Sequence, residues 1–67
     1  MKTLLSLGHG YSASALAQRL LAQGWRVLGT TRSADKADQI RATGVEPILW
    51  ERKALTEALA SATHVLA

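Results

Sequence analysis

From Gly8 to Ala13 the chain reads Gly-His-Gly-Tyr-Ser-Ala. An apolar run, Thr3 to Leu7, precedes this stretch, and an amphipathic segment ending at Gly24-Trp25 follows it. That order is the strongest constraint on the fold, because a strand must pass into a helix through a turn made mostly of main chain. The spacing is G-x-G-x-x-G/A, with Ala13 in the third small position. Gly8 lets the chain leave the strand in a tight turn. Gly10 puts no Cβ between the main chain and an approaching pyrophosphate, and Ala13 is small enough for helix and strand to pack closely. The free N–H groups and the positive dipole end of the helix then favour phosphate. Gly8, His9, Gly10, Tyr11, Ser12 and Ala13 are therefore the candidate phosphate-binding residues. The side chains of His9 and Tyr11 cover the pyrophosphate, or line the nicotinamide side, or are filler at positions where many residues work.

The rest of the chain repeats the alternation. Ala13, Leu16, Ala17, Leu20 and Leu21 recur at helical spacing, and Gly24 is a natural stop. Arg26 to Thr31 reads as a second strand. Ser33 is suited to cap a helix running to about Thr43, with Ala34, Ala37, Ile40 and the stem of Arg41 turned inward. Gly44 ends it. Val45 to Trp50 reads as a third strand, and Pro47 near its start marks an edge. Lys53 to Ser61 reads as a third helix with Ala54, Leu55, Ala58 and Leu59 as its stripe, and Thr63 to Ala67 begins a fourth strand at His64. A β-α-β-α-β-α-β order with short connections implies an α/β fold with a parallel sheet. Right-handed crossovers then give a Rossmann-like strand order of 3-2-1-4, with the first two helices on one face and the third on the other.

Bulk properties narrow the function classes. Sixty-seven residues make at most one small domain, and a chain this short buries only about 60% of its unfolded surface. The hydrophobic fraction of 48% and charged fraction of 19% are those of a globular chain. There is no cysteine, which leaves no thiolate metal site or disulfide scaffold, and no residue set has metal-ligand spacing around His9 or His64. The apolar run after Lys2 is too short for a signal-peptide core or a membrane span, so a cytoplasmic location is the default expectation. The net charge of +3 comes from scattered lysines and arginines without interleaved aromatics, which argues against nucleic acid as a partner. The fourth strand stops at the last residue with Val65-Leu66 lacking a successor. The expectation is that residues 1–67 are the N-terminal part of a longer NAD(P)-binding domain, or its ordered part. The alternative is a small domain stabilised as a homo-oligomer.

The end of the second strand selects the cofactor. An NAD site places an Asp or Glu there, about 20 residues past the glycines, to bind the ribose hydroxyls. This chain has Gly29-Thr30-Thr31-Arg32-Ser33 instead, with a threonine in the acidic place and Arg32 directly after it. A guanidinium donates paired hydrogen bonds to a 2′-phosphate and stacks on adenine. Thr31, Arg32 and Ser33, with Lys36 as an additional contact, therefore favour NADP over NAD. Trp50-Glu51-Arg52 follows the third strand, where this fold holds adenine. Trp50 is either an adenine contact or a core or interface residue, and Glu51 or Arg52 is within reach of the adenine amino group or the ribose. Trp25, far from the turn, is assigned to packing.

Several segments together resemble the N-terminus of bacterial short-chain dehydrogenase/reductase proteins. They are Leu5-Ser6-Leu7-Gly8-His9-Gly10-Tyr11, Arg19-Leu20-Leu21-Ala22-Gln23-Gly24-Trp25, Leu28-Gly29-Thr30-Thr31-Arg32 and Gly44-Val45-Glu46-Pro47. The resemblance is to the extended or atypical NAD-dependent epimerase/dehydratase type. It covers all 67 residues but about the first quarter of such a protein. It implies that Gly8, Gly10, Ala13 and Arg32 are cofactor residues, and it places Glu51 where the family has an adenine-contacting Asp. Leu7 stands at the first glycine position of the extended pattern, and Trp50-Glu51 replaces a small residue and Asp. The family's catalytic Ser/Thr and Tyr-x-x-x-Lys lie downstream. Tyr11 is not that tyrosine, since Ala15 stands four residues on. The resemblance thus implies the NADP(H)-binding portion of an oxidoreductase or nucleotide-sugar epimerase/dehydratase acting on an unidentified small molecule, with no catalytic residue in this stretch. A non-catalytic NADP-sensing regulator and a β-hydroxyacid-type dehydrogenase are the alternatives.

Overall fold

A computed structural model describes residues 2–8 and 11–66, with the side chains of residues 11 and 12 excepted. Seven elements alternate along the chain: β1 (Thr3–Ser6), α1 (Tyr11–Ala22), β2 (Arg26–Thr31), α2 (Ala34–Ala42), β3 (Glu46–Leu49), α3 (Arg52–Ser61) and β4 (His64–Leu66). The strands form one parallel sheet in the order β3-β2-β1-β4. This is the α/β, Rossmann-like arrangement that the alternation implies.

Side-chain alternation along the strands divides the core between two faces. Leu4 and Val27, paired in register, pack with Ala17 and Val45 on the face covered by α1 and α2. Leu20, Leu21, Trp25, Ile40 and Leu66 close over that cluster. Leu5 and Leu28, the next pair in register, pack with Ala58 of α3 on the opposite face, joined by Leu7, Ile48 and Ala62. Burying these side chains is the main favourable term for a unit this small.

The helix signals act where expected. Ser33 caps α2 by accepting a hydrogen bond from the Lys36 amide, and α1 is followed by Gly24 at φ +85°. Four side chains differ from expectation, the first being Leu16 of the α1 stripe, which is exposed. Arg41 is exposed and pairs with Asp38 on its own helix, Nη1 to Oδ1 3.1 Å, instead of laying its stem inward. Ala34 is exposed at the first turn of α2. Leu59, assigned to the inner stripe of α3, is 51% exposed because Ala58 takes the position against the sheet.

β3 is an edge strand of this sheet, as Pro47 implies. Pro47 carries no N–H, and the Leu49 carbonyl accepts the Glu51 amide at 2.7 Å. At the start of β2 and β3, Arg26 and Glu46 form a two-pronged ion pair with contacts of 2.5 and 2.9 Å. At the same end of the sheet, Thr63 ties β4 to β1. Its hydroxyl accepts the Thr3 amide at 2.9 Å and donates to the Thr3 carbonyl at 3.0 Å. Trp25 packs there against His64, with ring centres 4.9 Å apart. The opposite end is where all strands have their carboxyl termini.

Candidate functional site

In a parallel sheet of this order the connections diverge at the carboxyl edge, because those leaving β1 and β2 lie on one face and the one leaving β3 on the other. Such a divergence is where open α/β sheets bind ligands. A cleft of about 540 Å³ opens at this edge, lined by Leu7 and Gly8 after β1, Thr30 to Ser33 at the end of β2, Lys36 of α2 and Trp50 after β3. Its size is in the range of small-molecule sites.

The floor of the cleft is built by the turn after β1. Gly8 has φ +69°, a left-handed conformation that glycine adopts at no steric cost. Among the described residues, apart from its chain neighbours, a Cβ placed on Gly8 would meet nothing within 4 Å, so on that side the main chain is not covered. Both neighbouring strands hold the turn. The Leu7 amide donates to the Leu66 carbonyl at 2.8 Å, and the Gly8 amide donates to Thr30 Oγ1 at 2.7 Å. His9 and Gly10, the next two candidate residues, lie outside the described residues, as do the side chains of Tyr11 and Ser12. Tyr11 and Ser12 open α1, and Ala13 is half-buried in its first turn.

The wall of the cleft comes from the end of β2. Thr30 and Thr31 are buried, and their hydroxyls serve the backbone. Thr30 anchors the glycine turn, while Thr31 Oγ1 accepts the Ser33 amide at 3.2 Å and shapes the turn into α2. That local turn leaves Arg32 exposed. Ser33 Oγ accepts the Lys36 amide at 3.4 Å, an arrangement that keeps the hydroxyl proton available for donation into the cleft. Arg32 and Lys36 bring two cationic side chains to the same wall, beside the N-terminus of α2. No carboxylate lines the cleft among the described residues, and Asp35, in the first turn of α2, is outside the lining.

The structure thus brings Gly8, Thr31, Arg32 and Ser33 around one cleft together with Lys36 and Trp50, and adds Leu7 and Thr30 to the lining. Glu51 is placed elsewhere. It is the residue before α3, its side chain makes no capping bond, and it lines two other pockets, one along α3 and one between α2, β3 and α3. Sequence reasoning considered Thr30 only as a substitute for an acid; its anchoring role depends on the β1–β2 register, which no local motif announces. No group of three or more potential metal ligands occurs among the described residues, and no helix there is long and apolar enough to cross a membrane.

Comparison with known proteins adds a relative but no activity. No family model matches the chain. No curated protein matches it either. A solved structure of a functionally unknown conserved protein from Silicibacter pomeroyi DSS is 46% identical, with a TM-score of 0.79 over 97% of this chain. The matched region is 23% of that protein, so the chain spans about a quarter of its relative's length.

Proposed function

We propose that this chain binds NADP(H), as the N-terminal cofactor-binding portion of a short-chain dehydrogenase/reductase-like oxidoreductase or nucleotide-sugar epimerase/dehydratase. The observation that carries the reading is the wall of the cleft: Arg32 and Lys36 with Ser33, and no carboxylate among its described lining residues. A carboxylate there would repel a 2′-phosphate and select NAD. Two cations and a hydroxyl donor favour the phosphate by charge-assisted hydrogen bonds. The open main chain at Gly8 supports the same reading, since a pyrophosphate needs close approach to the turn. The apolar surface of Leu7 at the start of the turn suits a purine.

In this reading Gly8 and the start of α1 hold the pyrophosphate, and Arg32, Ser33 and Lys36 hold the 2′-phosphate. When bound, the cofactor supplies hydride transfer at its nicotinamide. The resemblance puts the residues that move the proton downstream of residue 67, so the part played by this chain is to bind and orient. The test is calorimetric titration of the full-length protein with NADPH and with NADH. Tighter binding of NADPH is expected. Equal affinities would remove the 2′-phosphate assignment, and binding of neither would overturn the cofactor reading.

A further inference from the structure

The Arg32 guanidinium carbon lies 5.3 Å from the centre of the Trp50 ring, within cation–π distance. The sheet enforces this approach. Thr31 and Leu49 are paired across β2 and β3, and the Trp50 amide donates to the Thr31 carbonyl at 2.9 Å, so the residues that follow each strand leave side by side. Trp50 is 49% exposed and belongs to neither core cluster. Packing of the core therefore does not account for a large aromatic ring at the rim of the cleft.

Resting on the NADP(H) reading, we propose that Trp50 is a positioning residue that sets the preference for the 2′-phosphate by holding Arg32 at the cleft. The chemistry of the guanidinium allows both contacts at once. Cation–π attraction uses its flat face, whereas its N–H groups radiate in the plane and stay free to donate to phosphate oxygens. An arginine already held over a ring loses less rotamer freedom when it takes up a phosphate than one sampling open solvent. Lys36, the other cation of the wall, has no aromatic ring within cation–π distance among the described residues, so its contribution is that of a mobile charge. Trp50 thus acts through Arg32, and the benefit falls on NADP(H) alone.

The experiment is a double-mutant cycle by calorimetry on the full-length protein, using Trp50→Leu, Arg32→Ala and the double variant, each titrated with NADPH and NADH. Trp50→Leu is expected to weaken NADPH about fivefold, the scale of an exposed cation–π contact, and to leave NADH unchanged. In the Arg32→Ala background it is expected to have no further effect. Trp50→Phe keeps an aromatic face and is expected to retain most of the NADPH preference, which separates loss of the ring from loss of folding. Equal weakening of both nucleotides, or the same loss with and without Arg32, would show direct contact with the cofactor and overturn the proposal. No change in Trp50→Leu would overturn it as well. If the unmodified protein binds neither nucleotide, the NADP(H) reading fails first and this inference falls with it.

Discussion

Thr30 Oγ1 lies 2.7 Å from the Gly8 amide nitrogen and 3.4 Å from the Ser6 carbonyl oxygen, so one buried hydroxyl on β2 holds the start of the glycine turn to the sheet. Thr30→Val keeps the shape and the strand preference but removes the acceptor. The Gly8 amide then has no partner in a part-buried position, at a cost of about 1–3 kcal/mol. The expected outcome is a lower urea midpoint at unchanged m-value, together with weaker nucleotide binding as the turn loosens. Thr30→Ser, which restores the hydroxyl, is expected to recover most of both. A Val variant with unchanged midpoint and affinity would show that the bond contributes nothing to the turn.

Gly8 tests the same turn from the backbone side. Among the described residues nothing beyond its chain neighbours crowds a Cβ at this position, yet its φ of +69° is left-handed. Gly8→Ala is therefore expected to cost about 1–2 kcal/mol through conformation alone. Gly8→Asn is expected to cost less, because asparagine enters this region more readily. Thermal or urea unfolding of the two variants gives the order. An alanine variant as stable as the parent would mean that the turn relaxes to another conformation.

How much of this was legible in the residues differs between backbone and side chains. The element order and the strand order followed from local signals: apolar runs, glycine stops, the Ser33 cap and the edge-marking Pro47. Each acts within a few positions of itself, so reading along the chain finds it. Side-chain assignments failed where two local options competed. Arg41 had an apolar stem to bury and an acid one helical turn away, and it pairs with Asp38. The contacts that organise the cleft are of another kind. Thr30 with Gly8, and Arg32 with Trp50, meet only through strand register, and a register is a property of the assembled sheet.

The cationic wall gives a direct prediction on cofactor choice. Arg32→Asp replaces a donor to the 2′-phosphate with a charge that repels it. NADPH binding is expected to weaken by roughly 1.5–3 kcal/mol, the scale of a charge-assisted hydrogen bond, while NADH binding changes little. Calorimetry with both nucleotides measures the two losses in one preparation. Equal losses would place Arg32 among residues that support the fold and not the phosphate.

At the other end of the sheet, the Arg26–Glu46 pair links stability to pH. A hydrogen bond from Arg26 lowers the Glu46 carboxyl from its ordinary value; burial opposes this, and the charge of Arg26 adds a smaller lowering effect. A carboxyl depressed in the folded state contributes stability that is present above its unfolded pKa and is lost as pH falls through its folded pKa. Both side chains are close to half exposed, so solvent screening limits the contribution to less than about 1 kcal/mol. Glu46→Gln is accordingly expected to lower the urea midpoint slightly at neutral pH and to have no effect once the acid is protonated. Added salt is expected to shrink the neutral-pH difference. The decisive measurement is the difference in unfolding free energy between parent and variant from neutral pH down through the carboxylate range. A difference that stays constant with pH would assign the effect to shape or strand pairing, and would show that the ion pair itself stabilises nothing.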